Sequence, residues 1–338
     1  MKVTRISRHS IAGTALHEIR LKTGYGTVVL CELGASIVSI IVPDKNGKSA
    51  NVVLGYENIK DYLSDTIYAG STVGRVAGRI KKGILPVNNK ICQLSLNEAS
   101  QTHLHGGYEG FNKKIFKIGD IRESDDSISV DLSYTSADME EGYPGKLKLK
   151  VTYTFSDNIL NVQYSATADR ATAVNITNHC YFNLTGDKTR ALQQELFISS
   201  SELLETDEKY IPTGRIIPVG DTANDFRTAK VISLKKDQLE ATGFNEYYIL
   251  DKSQTPDAVL SDPVSGRILS IKTSYPGILF YSGDYLGGQF IPCEGVCLEA
   301  QHFPDAVNQS GFPSIILEPG REYRENIEYT FSTTRANG

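Results

Sequence analysis

The chain has no tryptophan and only two methionines in 338 residues. An aromatic platform for a ligand must therefore come from its 18 tyrosines and 12 phenylalanines. Cysteine is scarce as well: Cys31, Cys92, Cys180, Cys293 and Cys297 are odd in number, scattered, and form no CxxC pair. That excludes a disulfide framework and fits a reducing compartment. Long apolar runs are missing. The most apolar stretch, SIVSIIV (36–42), is far shorter than the roughly 20 residues a membrane-spanning helix needs. The first twenty residues carry no uninterrupted apolar segment of the signal-peptide kind, so a cytoplasmic location with no membrane partner is expected. Neither sign of charge dominates. The net charge is −5 and no stripe of lysine and arginine stands out, which argues against a nucleic-acid partner. Neither GxGxxG nor a P-loop occurs, so nothing suggests a nucleotide or phosphate cradle. Repeats, low-complexity tracts and shifts of composition are also absent, and a single domain over residues 1–338 is expected.

What is present is period two. Ile128, Val130, Leu132 and Tyr134 alternate with polar residues, and so do Leu147, Leu149, Val151, Tyr153 and Phe155. A turn-forming SDN follows, then Leu160, Val162 and Tyr164 in phase, which predicts a long antiparallel hairpin. Further strands are predicted over 26–33, 36–42, 51–56, 267–273, 277–282 and 327–332. Helical signals are confined to ENIKDYLSD (57–65) and ISLKKDQLEATG (232–243), the second ending on Gly243. Many strands with few short helices predict an all-β fold, a large antiparallel sandwich or barrel.

Within this pattern VCLEAQ (296–301) is odd. It alternates as a strand yet carries Glu299, and a buried carboxylate without a partner is costly. A lone glutamate in a strand usually marks a solvated face, and a wet concave sheet would accommodate it. Three other stretches place polar chemistry in unexpected company. THLHGG (102–107) sets His103 and His105 two apart beside a glycine pair; NITNHCYFNL (175–184) puts His179 inside a strand-like run; TVGRVAGRI (72–80) holds Arg75 and Arg79 among small residues. Taken singly, each has a bland explanation: a loop histidine, a core histidine, a surface ion pair. A histidine and carboxylate set could also hold zinc or iron. Together they suit acid–base work on a neutral polyhydroxylated ligand. An ordinary glutamate is ionised at neutral pH and can accept a proton, and a histidine titrating near neutrality can supply one.

These stretches also carry a resemblance. NVVLGYENIKDYLSD, GSTVGRVAGRIKKG, THLHGGYEGFNKK, NITNHCYFNLTGD, IPTGRIIPVGDTANDFR, SYPGILFYSGDYLGG and GVCLEAQHFPDAVNQSGFPSIILEPG, in that order, resemble the galactose mutarotase (aldose 1-epimerase) family over nearly the whole chain. The resemblance implies a β-supersandwich with a sugar as its small-molecule substrate, no metal or organic cofactor, and a monomer or homodimer. It places the catalytic base on Glu299 and the catalytic acid on His179. It places sugar-binding roles on Arg79, His105, Asn245 and Tyr281, with further contacts at Gln301 and Asn183. Position 245 departs from the pattern: the family usually has aspartate there, whereas this chain reads GFNEYYIL. Asparagine can still accept a hydrogen bond but carries no charge, so weaker or altered sugar binding is expected. Glu246, next along a strand, should point to the opposite face. A non-catalytic sugar sensor of the same fold, or an epimerase preferring a disaccharide or phosphosugar, are the other readings these residues allow.

Overall fold

A computed structural model describes residues 2–11, 14–237 and 243–334. Among them the regular structure is almost wholly antiparallel strand, with one short α-helix, Ile232–Lys236, and five short 3-10 helices. The long hairpin forms as predicted. Leu147–Ser156 pairs with Ile159–Ala168, Ser156 opposite Ile159, and Asp157 and Asn158 make the two-residue turn. Burial alternates along both strands, so their apolar rows face the core and their polar rows face out.

This hairpin forms the third and fourth strands of a nine-stranded sheet that runs from Lys117–Glu123 through Ile128–Ser136 and the hairpin. Next comes the late strand Tyr323–Thr333, wedged between Ile159–Ala168 and Arg267–Thr273. A six-stranded sheet holds, in order, Tyr181–Phe182, Val296–Gln301, Gly277–Tyr281, Asn245–Ile249, Glu202–Thr206 and Pro212–Pro218. A five-stranded sheet runs from the strand Lys2–Ile11 to the strand Ser49–Asn51. One apolar core draws on all three sheets: Leu30 and Ile37 from the first, Tyr153 and Tyr329 from the nine-stranded sheet, Phe280 and Leu298 from the six-stranded one. Sheets packed face to face over such a core are the sandwich architecture.

Some expectations are trimmed. Of 51–56 only Asn51 closes a strand, and Val53 makes a single bridge to Phe182 before the chain turns away. The 57–65 signal becomes one 3-10 turn, Ile59–Leu63, capped by the Asn58 side chain. The 232–243 signal gives the helix Ile232–Lys236; residues 238–242 lie outside the described ones.

Candidate active site

The strand Val296–Gln301 sits between Tyr181–Phe182 and Gly277–Tyr281. Val296, Leu298 and Ala300 point into the main core. Cys297, Glu299 and Gln301 point the other way, and that face is buried too. The expected wet concave face is therefore absent at this point: Glu299 is only 1% exposed, and its Oε2 has no hydrogen-bond partner. Nor does it have an ordinary carboxyl. Burial raises its pKa to about 8, with Arg79 opposing. His179 also departs from near-neutral titration. It is 4% exposed, and burial lowers its pKa to about 4.

The two are neighbours, His179 Nε2 lying 3.4 Å from Glu299 Oε1. His179 sits in the break between Thr177–Asn178 and Tyr181–Phe182. Its backbone is fixed on both sides, His179 N–H donating to Ser71 O and Gly70 N–H to His179 O, each at 2.9 Å. Behind the ring, Nδ1 faces the Cys297 thiol at 3.5 Å.

His105 completes the floor, its ring centre 5.3 Å from that of His179. It takes a left-handed backbone conformation and is followed by Gly106, where a Cβ would fall 1.8 Å from Gly74 O. Only glycine fits there, which is what the LHGG signal reports. His105 N–H donates to Gly78 O, and Gly78 N–H donates back to His105 Nδ1 at 3.2 Å. Because Nδ1 accepts, the proton resides on Nε2, and the ring offers the pocket a donor. Burial, then His179 and Arg79, lower its pKa well below the usual range and keep it neutral.

Arg79, opposite Leu104 across a short strand pair, lines the same hollow. Its Nε and Nη2 bind both oxygens of Glu98 at 2.9 and 2.7 Å, and its guanidinium lies over the Tyr210 ring. Asn245 and Tyr281 face each other across paired strands on the remaining wall. Glu246 lies on the opposite face, as strand alternation predicts. Its carboxyl folds back to accept the Asn245 N–H, and burial raises its pKa to about 7.

All six sequence-predicted site residues thus line one cavity of about 190 Å³, together with Tyr68, Tyr181, Leu279 and Tyr285. Larger hollows of about 810 and 530 Å³ exist, but they hold none of these six. Two lesser expectations do not land in the cavity wall. Asn183 borders another hollow, and its amide is spent on the Asp187 and Glu294 carbonyls. Gln301 is fully buried beneath the site, neither of its amide atoms paired. His103 is structural, its ring held by Tyr143 OH and Ser95 O. Arg75 is too, tied to Ser136, Ala137 and Pro144. Sequence reasoning missed Glu98 and Tyr68, since neither sits in a run whose spacing betrays it.

Ligand atoms of His105, His179 and Glu299 lie within 4.8 Å of one another, so an ion would fit the spacing. The donor set fits less well. An Nε2–H donor on His105 suits a sugar oxygen and would have to be given up to a metal.

A β-sandwich that closes a buried carboxyl, a histidine, a neutral histidine donor and an arginine around one small cavity defines a small-molecule-binding protein whose site can exchange protons with its ligand. Comparison with known proteins narrows this. The aldose 1-epimerase family model matches residues 17–330. The chain is 38% identical to galactose mutarotase of Rattus norvegicus, and the match covers 95% of each. It is 31% identical to aldose 1-epimerase of Escherichia coli, over 93% of this chain and 94% of that one. Among solved structures, an aldose epimerase homologue from C. elegans superposes with a TM-score of 0.88 at 33% identity, over 95% of this chain and all of that one. A galactose 1-epimerase from Lactobacillus acidophilus gives 0.89 at 28% identity, over 99% of each. The chain belongs to the aldose 1-epimerase family, and it is an isomerase acting on the anomeric centre of aldoses. Among the described residues no helix is long and apolar enough to cross a membrane.

Proposed function

We propose that the chain interconverts the α and β anomers of galactose- and glucose-type aldoses, with Glu299 as base and His179 as acid. The observation that carries this is their separation of 3.4 Å inside a cavity sized for one small ligand. Between pH of about 4 and about 8 the pair holds one proton. With the pair empty, that proton rests on Glu299. The productive arrangement, carboxylate and imidazolium, has the same proton count and needs only a shift across the pair.

A sugar favours that shift. Its C1 hydroxyl donates to the carboxylate, whose Oε2 has no protein partner, and Arg79 also favours the charged form. Glu299 takes the C1 hydroxyl proton, and His179 gives its Nε2 proton to the ring oxygen as the C1–O5 bond breaks. The aldehyde turns about C1–C2. Closure on its other face returns both protons, with no net change of charge. His105, Arg79, Asn245 and Tyr281 hold the sugar during the opening. Asn245 holds it without a charge, which weakens this contact relative to an aspartate.

The test is polarimetry on freshly dissolved α-galactose, α-glucose and α-maltose. The wild type should accelerate mutarotation, and the ranking of sugars reports what Asn245 permits. Glu299→Gln keeps the shape and loses the base, so its kcat should fall by roughly 10²–10⁴-fold while galactose still binds by calorimetry. Near-normal turnover by the variant would remove Glu299 from the mechanism.

A further inference from the structure

Tyr68 is one of the residues of this cavity that the mechanism leaves unused. It lines the pocket in a left-handed backbone conformation, with φ of 60°. Bulky side chains rarely adopt that conformation, and it persists only where the surroundings enforce it. They do so here. The buried Asp65 carboxylate accepts the N–H groups of Ile67 and Ala69, one on each side of Tyr68, at 2.9 Å. The Tyr56 hydroxyl holds the same carboxylate, and Lys113 Nζ binds the Asp65 carbonyl at 2.7 Å. Tyr68 O accepts from Ser71 N–H, and Ser71 O in turn accepts from His179 N–H. The segment that strains Tyr68 thus also anchors the backbone of the acid from outside.

The strain aims the ring at the site histidines. It stacks on His179 with centres 5.7 Å apart and planes 29° apart, and leans on His105 at 4.7 Å. Burial and then the Asp65 and Glu98 carboxylates raise the pKa of its phenol, with Arg79 opposing, and no hydrogen bond engages its hydroxyl among the described residues. Tyr68 is half-buried and lines the cavity, so its hydroxyl is open to a ligand that enters there.

We propose that Tyr68 is a further sugar-contacting and positioning residue, its hydroxyl meeting a hydroxyl of the bound aldose and its ring fixing His179 and His105 while keeping water from them. The groups that face His179 are Glu299, Cys297, Tyr181, His105 and Tyr68. Tyr68 is the one among them carried by the loop Asp65–Ser71, so removing its ring opens that wall alone.

This rests on the epimerase reading, and two variants separate the two roles. Tyr68→Phe removes only the hydroxyl. The KM for galactose and the calorimetric Kd should each rise about three- to tenfold, with kcat within about twofold and the pH limits unmoved. Tyr68→Asn removes the ring but keeps a residue that tolerates the left-handed conformation. Water then reaches His179, its affinity for protons recovers toward the ordinary range, and the acid limit of kcat/KM should move up by about half a unit or more. Unchanged galactose Kd in Tyr68→Phe would overturn the contact, and an unmoved acid limit in Tyr68→Asn would overturn the positioning role. A wild type inactive in polarimetry would overturn the epimerase reading instead, while the Kd comparison, which needs no turnover, still decides the contact.

Discussion

Glu299 and His179 owe their properties to burial more than to each other. Burial pushes the carboxyl up and the imidazole down, so the pair keeps one proton across the neutral range. The rate should therefore follow a bell in pH. It should fall below about 4, where His179 gains a second proton for the pair, and above about 8, where Glu299 loses the only one. A profile of kcat/KM by polarimetry checks this; flat activity through pH 9 would contradict it. Glu98 sets the second prediction. It neutralises Arg79 through a two-pronged contact, and Arg79 in turn favours the Glu299 carboxylate. Glu98→Gln should loosen the guanidinium and raise KM roughly five- to tenfold. It should also leave more positive charge near Glu299, so the alkaline limit should move below that of wild type. Glu299, His179, Arg79 and His105 were legible because each sits in a motif that breaks its local pattern. Glu98 and Tyr68 were not: a loop glutamate and a loop tyrosine look ordinary until distant segments meet over them. The burial of Glu299 also escaped sequence, because period two shows that a strand has two faces and not what covers the second.

Among the elements, the strand Gly277–Tyr281 bears most directly on the site, placing Leu279 opposite Glu299 and Tyr281 opposite Cys297. Its first residue is glycine for a steric reason. A Cβ there would lie 2.2 Å from the Tyr247 ring, and that ring is buried and pinned by its hydroxyl to Gln301 O. Gly277→Ala should therefore displace the strand and lose about 2–4 kcal/mol of stability, with a matching loss of activity. Urea unfolding with parallel polarimetry measures both. Elements were the most readable level of the sequence. The strands 267–273 and 296–301 were predicted to the residue, and the alternating hairpin over 147–164 was predicted with its second strand four residues short. The stretch 51–56 misled because its valines are apolar for packing and not for sheet pairing: Val52 and Val53 join the core while the backbone leaves the ladder.

For the molecule as a whole, Glu299 is a burden on the fold. A carboxyl that binds its proton more tightly when folded adds stability in acid, and this contribution fades as pH rises through about 8. Glu246 acts in the same direction near 7. Replacing Glu299 by glutamine removes one of the two, so the variant should melt a few degrees above wild type at pH 9 and closer to it at pH 5. Scanning calorimetry at both pH values checks the sign. How the sheets stack was less legible than the strands, since pairing between segments more than a hundred residues apart leaves no local trace. The late strand Tyr323–Thr333 is the clearest case. It fills the seam between Ile159–Ala168 and Arg267–Thr273. While the ribosome is still making the chain, both neighbours of that seam wait with open backbone edges, and the sheet stays in two pieces. Closure can come only once residue 333 has been made, so the sheet is completed long after its first strands exist, and a nascent chain of this kind has reason to be chaperoned.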